Sequence, residues 1–298
     1  MQVFVANPGR LCRAFRKAAA GGGVKIFLAG KSGSSQDRAE VELVSNMKVF
    51  LAGIQGNKQG ERTAFARTCE LPCYILESFF YADETTERMI PRLADFMLDS
   101  GAFTFIQAKA PGSSGVDWNG YLARYADFIV RNRVEKFFEL DIDSLVGHER
   151  VLSLRRELER RVGRPCIPVW HRSRGRDEFL RLCDQYRYVA VGGIVSGEIK
   201  PPEYPVFSYL ISEAHKRGAK IHGLGFTNLA GMKIYHFDSV DSTAWLSGNR
   251  FGDIYYFNGR GIEKRKQPPG TRLANQRAVC IHNFLEWHKF QKWADTHY

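Results

Sequence analysis

Six apolar runs in this sequence end in residues able to do chemistry. They are Leu98-Asp99-Ser100-Gly101-Ala102-Phe103, Leu140-Asp141-Ile142-Asp143-Ser144, Val169-Trp170-His171-Arg172, Val191-Gly192-Gly193-Ile194, His222-Gly223-Leu224-Gly225 and Phe237-Asp238-Ser239-Val240-Asp241-Ser242. An acid that follows an apolar strand cannot stay unpaired in a core, because burying a lone charge is costly. One such aspartate is commonly a helix N-cap. Three strands ending this way point to a catalytic mouth. Paired carboxylates suit attack at a sugar carbon, one as nucleophile and one moving protons. Paired glycines let backbone N–H groups come close to a flat ligand. Phe103, close to Asp99, can stack on the face of a base.

These ends need elements to hold them together. Candidate strands fall at 48–53, 73–79, 96–100, 137–142, 166–170, 187–192, 220–225 and 236–241. Amphipathic stretches of helical period separate several of them, notably Glu149 to Arg161, Tyr121 to Arg133 and Pro205 to Arg217. Eight strand-then-helix units predict an α/β fold, a (β/α)8 TIM-type barrel whose C-terminal strand ends converge on one pocket. An open doubly wound sheet fits the same alternation. Lys25 to Gly30 is nearly repeated by Lys48 to Gly53, with Met47 just before the second copy. Residues 1–46 are therefore expected to be an N-terminal extension and 47–257 the barrel, with both copies being strands as the alternative. Gly30-Lys31-Ser32 is not a P-loop, since the position five before its glycine is Lys25. Residues 258–298 read as a basic loop, with Arg260, Lys264, Arg265, Lys266, Arg272 and Arg277, followed by a helix from Asn275 to His297 that packs on the barrel. The loop is a candidate phosphate-contact surface.

The chain has 298 residues, 44% hydrophobic and 25% charged, which fits a folded globular protein. A formal net charge of +11 favours a polyanionic partner. The six cysteines are scattered and contain no C-x2-C pair. Neither Cys69-x3-Cys73 nor Cys280-Ile281-His282 has a matching second half, so no zinc site or disulfide framework is expected. No apolar run reaches membrane-spanning length. No signal peptide is expected either, and the expected compartment is the cytoplasm.

The series DSGAF, LDID, VGGIVSGE, HGLG and FDSVDSTAW, spread in order over residues 98–248, resembles the tRNA-guanine transglycosylases. Within that superfamily it is closest to the 7-deazaguanine DNA transglycosylases of phages and bacterial islands. The resemblance implies a base exchange in which guanine in a nucleic acid is replaced through a covalent aspartyl–nucleotide intermediate. It makes Asp99 the proton shuttle, Phe103 the stacking ring and Asp141 the reader of the purine edge. Gly192 and Gly193 would contact the base through their backbone. His222 would pack on the opposite face of the base, and His171 falls loosely where the family has a base-reading glutamine. Ser100, Asp143 and Gly223 belong to the same expected substrate site. Either Asp238 or Asp241 matches the nucleophile, with Asp241 preferred because it opens Asp-Ser-Thr-Ala-Trp. The family's tRNA enzymes carry a zinc-binding cysteine cluster after the nucleophile, whereas this sequence has no cysteine between that point and Cys280. The expected substrate is therefore DNA rather than tRNA, with a free 7-deazaguanine base such as preQ0 or preQ1 and no cofactor. The compartment would be the host cytoplasm for a phage-encoded protein. A tRNA-acting enzyme, a non-catalytic nucleic-acid-binding barrel and a sugar-processing barrel are the alternatives.

Overall fold

The computed structural model describes residues 3–4, 26–27, 40–41, 46–54, 72–107, 115–266 and 275–298. The chain divides into two compact units, residues 1–46 with Tyr298 and residues 47–297. In the first unit, β2 (Ile26–Phe27) pairs parallel with β1 (Val3–Phe4) and antiparallel with β3 (Glu40–Val41). Both copies of the echoed hexapeptide therefore contribute strands, one in each unit.

The second unit contains eight parallel strands: β4 (Lys48–Ala52), β5 (Tyr74–Ser78), β6 (Asp95–Asp99), β7 (Lys136–Phe137), β8 (Val169–Trp170), β9 (Tyr188–Val191), β10 (Lys220–Gly223) and β11 (Ser239–Ser242). Their order is β7-β6-β5-β4-β11-β10-β9-β8, and a parallel bridge from Phe138 to Ile167 joins the two edges. Glu139 N donates to Ile167 O at 3.1 Å and Ile167 N to Phe137 O at 2.8 Å across that seam. The sheet closes, so the fold is a (β/α)8 barrel and not an open doubly wound sheet.

The helices are α1 (Glu84–Met89), α2 (Ala102–Gln107), α3 (Trp118–Arg131), α4 (Asp143–Val146), α5 (His148–Val162), α6 (Gly175–Gln185), α7 (Val206–Lys216), α8 (Leu229–Met232), α9 (Ser247–Phe251) and α10 (Gln276–His297). The long ones form where apolar residues recur on one face. In α5, Val151, Leu154 and Leu158 are buried at spacings of three and four. Gly163 ends that helix at φ 78°, a left-handed turn that suits glycine, and its N–H returns to Glu159 O.

Along each strand, side chains alternate between the barrel interior and the helix layer. Phe50, Ala52, Leu76, Met97, Phe138, Ile167, Val169 and Ala190 form one buried interior cluster. The same parity carries Asp99, His171 and Asp241 inward at the C-terminal end. The opposite parity carries Glu139 outward, where Arg155 of α5 donates to it at 2.6 and 3.1 Å. Below the cluster, Lys48 and Lys136 both pair with Asp95.

The C-terminal segment differs from the expected loop in one respect. Part of the expected loop is a strand: β13 (Ile262–Lys266) makes an antiparallel hairpin with β12 (Asp253–Phe257), which falls in the range expected for the barrel. Lys264, Arg265 and Lys266 are exposed on β13, and Arg260 is exposed in the turn. In β13, Ile262-Glu263-Lys264-Arg265-Lys266, four charges in a row hide the strand from a reading of apolar alternation. The helix begins at Gln276, one residue from the expected start. Its Gln291 reaches β4 and β5, donating to Val49 O at 2.6 Å and Tyr74 O at 2.7 Å and accepting from Tyr74 N at 3.0 Å. No helix among the described residues is long and apolar enough to cross a membrane.

Candidate active site

The C-terminal strand ends open into a cavity of about 1470 Å³. Its walls include Asp99, Phe103, Asp141, Asp143, His171, Gly193 and Asp241, drawn from five strand-end segments. Glu77 and Glu198 add to an acid-rich mouth.

Asp99 ends β6, and its Oδ2 accepts from Gly101 N at 2.9 Å. Burial pushes its carboxyl up to about 6; the charges of Asp141 and Asp241 push the same way, against the pull of the Gly101 amide. That is the range in which a carboxyl both gives and takes protons near neutrality. Asp241 lies on β11 with 7% of its surface exposed. Its Oδ1 accepts from Gly225 N at 2.5 Å and from His222 Nε2 at 3.3 Å.

On the facing wall His171 bridges two acids. Its Nε2 lies 2.8 Å from Asp141 Oδ1 and its Nδ1 2.9 Å from Glu198 Oε2. Burial opposes a charged ring, but the bonds to Asp141 and then Glu198 outweigh it and lift the imidazole to about 9. Arg174 donates to Asp143 at 2.9 and 3.2 Å and to the carbonyl of Val169 at 2.5 Å. Burial alone would raise the Asp143 carboxyl, but Arg174 holds it below the ordinary range. Asp141, Asp143 and His171 each present an atom within 4.8 Å of the others, a spacing open to a metal ion. Two built-in cations, Arg174 and the charged His171, already neutralise these acids, which disfavours an additional one.

The structure separates the two nucleophile candidates. Asp238 precedes β11 at the opposite end of the barrel and faces the helix layer. Its Oδ2 accepts from His215 Nε2 of α7 at 2.9 Å and from Ile221 N at 2.8 Å. It lies outside the cavity wall, so its expected catalytic role is withdrawn. A three-residue step along a strand reverses the face, so Asp238 and Asp241 cannot both point inward.

Other expected substrate contacts are also displaced. His222 is fully buried inside the barrel, packed against Phe50 and Phe138, and does not line the cavity. Gly223 faces the opposite way, where a Cβ would meet Phe226 at 3.1 Å and Phe237 at 3.2 Å. Ser100 is 1% exposed, its hydroxyl is unpartnered among the described residues, and its carbonyl accepts from Tyr121. Gly192 is tight for another reason: a Cβ there would lie 2.8 Å from the His171 ring. Gly193, at φ 79°, lies under Glu198, where a Cβ would fall 2.7 Å from Oε2. The glycine pair makes room for the His171–Glu198 bridge. Arg260, Lys264, Arg265 and Lys266 lie away from the cavity wall. Lys264 sits 3.6 Å from Asp253, and the Arg265 guanidinium lies 4.6 Å from the centre of the Tyr256 ring. Arg272 falls outside the described residues.

Sequence reasoning missed Glu198, Arg174 and the buried Glu139–Arg155 pair. Glu198 closes the VGGIVSGE run and Arg174 follows His171 by three, so both lay within quoted or adjacent segments. Arg155 carried no signal beyond being one of several arginines on a helix.

No protein-family model and no curated protein matches the sequence. Solved structures do resemble it. One is a chain of the tryptophan synthase α2β2 complex of Pyrococcus furiosus, with 9% identity, 69% of this chain and 90% of that chain covered, and a TM-score of 0.40. Another is a variant tryptophan synthase α-subunit from the same organism, with 11% identity, coverages of 69% and 91%, and a TM-score of 0.40. A third, from Anabaena variabilis and described as a sugar phosphate isomerase/epimerase, shares 10% identity over 83% of this chain and 99% of that one, with a TM-score of 0.41. These likenesses are distant, and the barrel is established by its own strand order and closure.

Proposed function

We propose that this protein is an enzyme, a transglycosylase that exchanges guanine in DNA for a 7-deazaguanine base. The observation that carries the reading is the pairing of two unlike carboxylates in one cavity. Asp241 is held by two N–H donors, while Asp99, desolvated and with no cationic partner among the described residues, sits at about 6. These unlike surroundings suit one acid to nucleophilic attack and the other to proton transfer. The cavity also exceeds the ~300–1,000 Å³ of ordinary small-ligand pockets. That leaves room for a flipped nucleotide, with Phe103 at the rim as a stacking ring.

In this mechanism Asp241 attacks C1′ and the bond from C1′ to N9 of guanine breaks. Asp99 protonates the departing base. A 7-deazaguanine base then takes its place and gives its N9 proton to Asp99. Its nitrogen attacks C1′ and releases Asp241, so two inversions give net retention. Asp141 would read the polar edge of the base while His171 orients it. The preference for DNA over tRNA rests on the sequence after Asp241, which has no cysteine before Cys280. The exposed bases of β13 would contact flanking phosphates.

The test is incubation with DNA and a labelled 7-deazaguanine, followed by mass spectrometry of nucleosides and a denaturing gel for the covalent adduct. Wild-type protein should incorporate the label, Asp241→Asn should form neither adduct nor product, and Asp238→Asn should retain both. Incorporation into tRNA alone would move the substrate, and incorporation by the Asp241→Asn variant would overturn the mechanism.

A further inference from the structure

Asp241 has a line of polar groups behind it that the proposed reaction does not use directly. His222 Nε2 approaches its Oδ1 at 3.3 Å, and His222 Nδ1 lies 2.5 Å from Ser239 Oγ. The same Oγ lies 2.5 Å from the hydroxyl of Tyr188. Tyr188 is on β9, His222 on β10, and Ser239 and Asp241 on β11, so three neighbouring strands supply the line. His222 and Ser239 are fully buried. Burial also pushes the Tyr188 hydroxyl far above its usual range, so it stays a donor.

The direction of these bonds follows from what each group can do. A carboxylate only accepts, so His222 donates to Asp241 from Nε2. In the neutral ring Nδ1 then carries no hydrogen and accepts from Ser239. Ser239 donates its hydrogen there and accepts from Tyr188. Each bond points toward Asp241, and the Tyr188 hydroxyl fixes the tautomer of His222 from two residues away. Both donors to Asp241, the His222 ring and the Gly225 amide, reach Oδ1. Among the described residues no hydrogen bond reaches Oδ2.

We propose that His222 is a positioning residue that holds Asp241 by Oδ1 and leaves Oδ2 as the attacking oxygen, with Ser239 and Tyr188 setting its tautomer. This rests on the transglycosylase reading above. The Oδ2 lone pair forms the bond to C1′, the electrons of the bond to N9 leave with guanine, and guanine takes its proton from Asp99. Oδ1 becomes the carbonyl oxygen of the ester and keeps its two donors. No proton travels along the line in either half-reaction.

Two measurements test it. The first does not depend on activity: the 13Cγ resonance of Asp241 should shift in His222→Phe and, by less, in Tyr188→Phe. The second is base exchange. His222→Phe should lower kcat by about 10–100-fold, the loss expected for one hydrogen bond to a charged group, with KM within about twofold. His222→Gln, which keeps a donor, should recover part of that loss. Tyr188→Phe leaves every group that touches Asp241 in place and should lower kcat alone. If His222→Phe fails to fold, Tyr188→Phe carries both measurements. An unchanged resonance in both variants, or wild-type kcat in the folded variants, overturns the proposal. Resonance shifts in the two variants, with a wild-type protein that exchanges no base, would instead support the positioning and remove the transglycosylase reading.

Discussion

Replacing Asp99 by asparagine should make the protein more stable at neutral pH while abolishing exchange. In the folded chain the Asp99 carboxyl sits at about 6, against an ordinary 3.8. That difference corresponds to about 3 kcal/mol favouring the neutral form. The sign follows from proton binding. Below pH 4 the acid is protonated in both folded and unfolded chains and contributes nothing. Between pH 4 and 6 the unfolded chain gives up the proton and the folded chain keeps it, so stability falls as pH rises. Above pH 6 the full penalty applies. Asparagine keeps an acceptor for Gly101 N, which donates to Asp99 at 2.9 Å, and carries no charge. At pH 7 the variant should gain up to about 3 kcal/mol, or roughly 5–10 °C in Tm for a protein of this size. The assay is thermal denaturation of both proteins at pH 4, 5, 6 and 7. Other carboxylates titrate in the same window but cancel in the difference. A variant no more stable than wild type at pH 7, or a difference constant from pH 4 to 7, would refute the reasoning.

Other outcomes follow from the same geometry. Asp238→Asn should retain exchange yet lose about 1–3 kcal/mol in urea denaturation, because His215 and Ile221 N lose a charged partner. Arg155→Met should lose about 3–5 kcal/mol, since Glu139 is 0% exposed and would be left buried without its main counter-ion. Adding Glu139→Gln to it should restore part of that loss in a double-mutant cycle. The His171 bridge should contribute stability that is complete below pH 6.5 and declines as pH rises through about 9. Denaturation from pH 6 to 10 should show that decline in wild type and not in His171→Gln. Gly192→Ala places a methyl 2.8 Å from the His171 ring, and it should erase the same decline by moving that ring off Asp141.

The barrel was legible because eight apolar runs alternate with helical periods, and the closing bridge at Phe138 and Ile167 falls inside two of those runs. The pocket acids were legible because Asp99, Asp141 and Asp241 all follow such runs. The choice between Asp238 and Asp241 was also present as strand parity. Val240 must face the helix layer if Ser239 and Asp241 face inward, and Asp238 then shares the side of Val240. His222 misled for a related reason. It lies one residue below the rim, at the level of Phe50 and Phe138, and a motif does not say how deep in the barrel each letter sits. Arg155 and Glu139 were beyond reach, because a buried ion pair between a strand and a helix leaves no local pattern. The strand β13 reads as loop in the sequence because its run of charges masks any alternation.

Gln291 has a consequence for how the protein is made. Its side chain supplies hydrogen bonds to β4 and β5, the first two strands of the barrel, across 242 residues to Val49 and 217 to Tyr74. Those two strands pair with each other only from Leu51 and Ala52 onward, and the amide bridges the part below. During synthesis the barrel's opening strands emerge long before the helix that completes them. Contacts of such long separation carry a large loop-closure penalty and form late. The nascent chain therefore waits with an unfinished seam until Gln291 leaves the ribosome. Truncation within α10 should act on folding yield at the first strands rather than at the missing end.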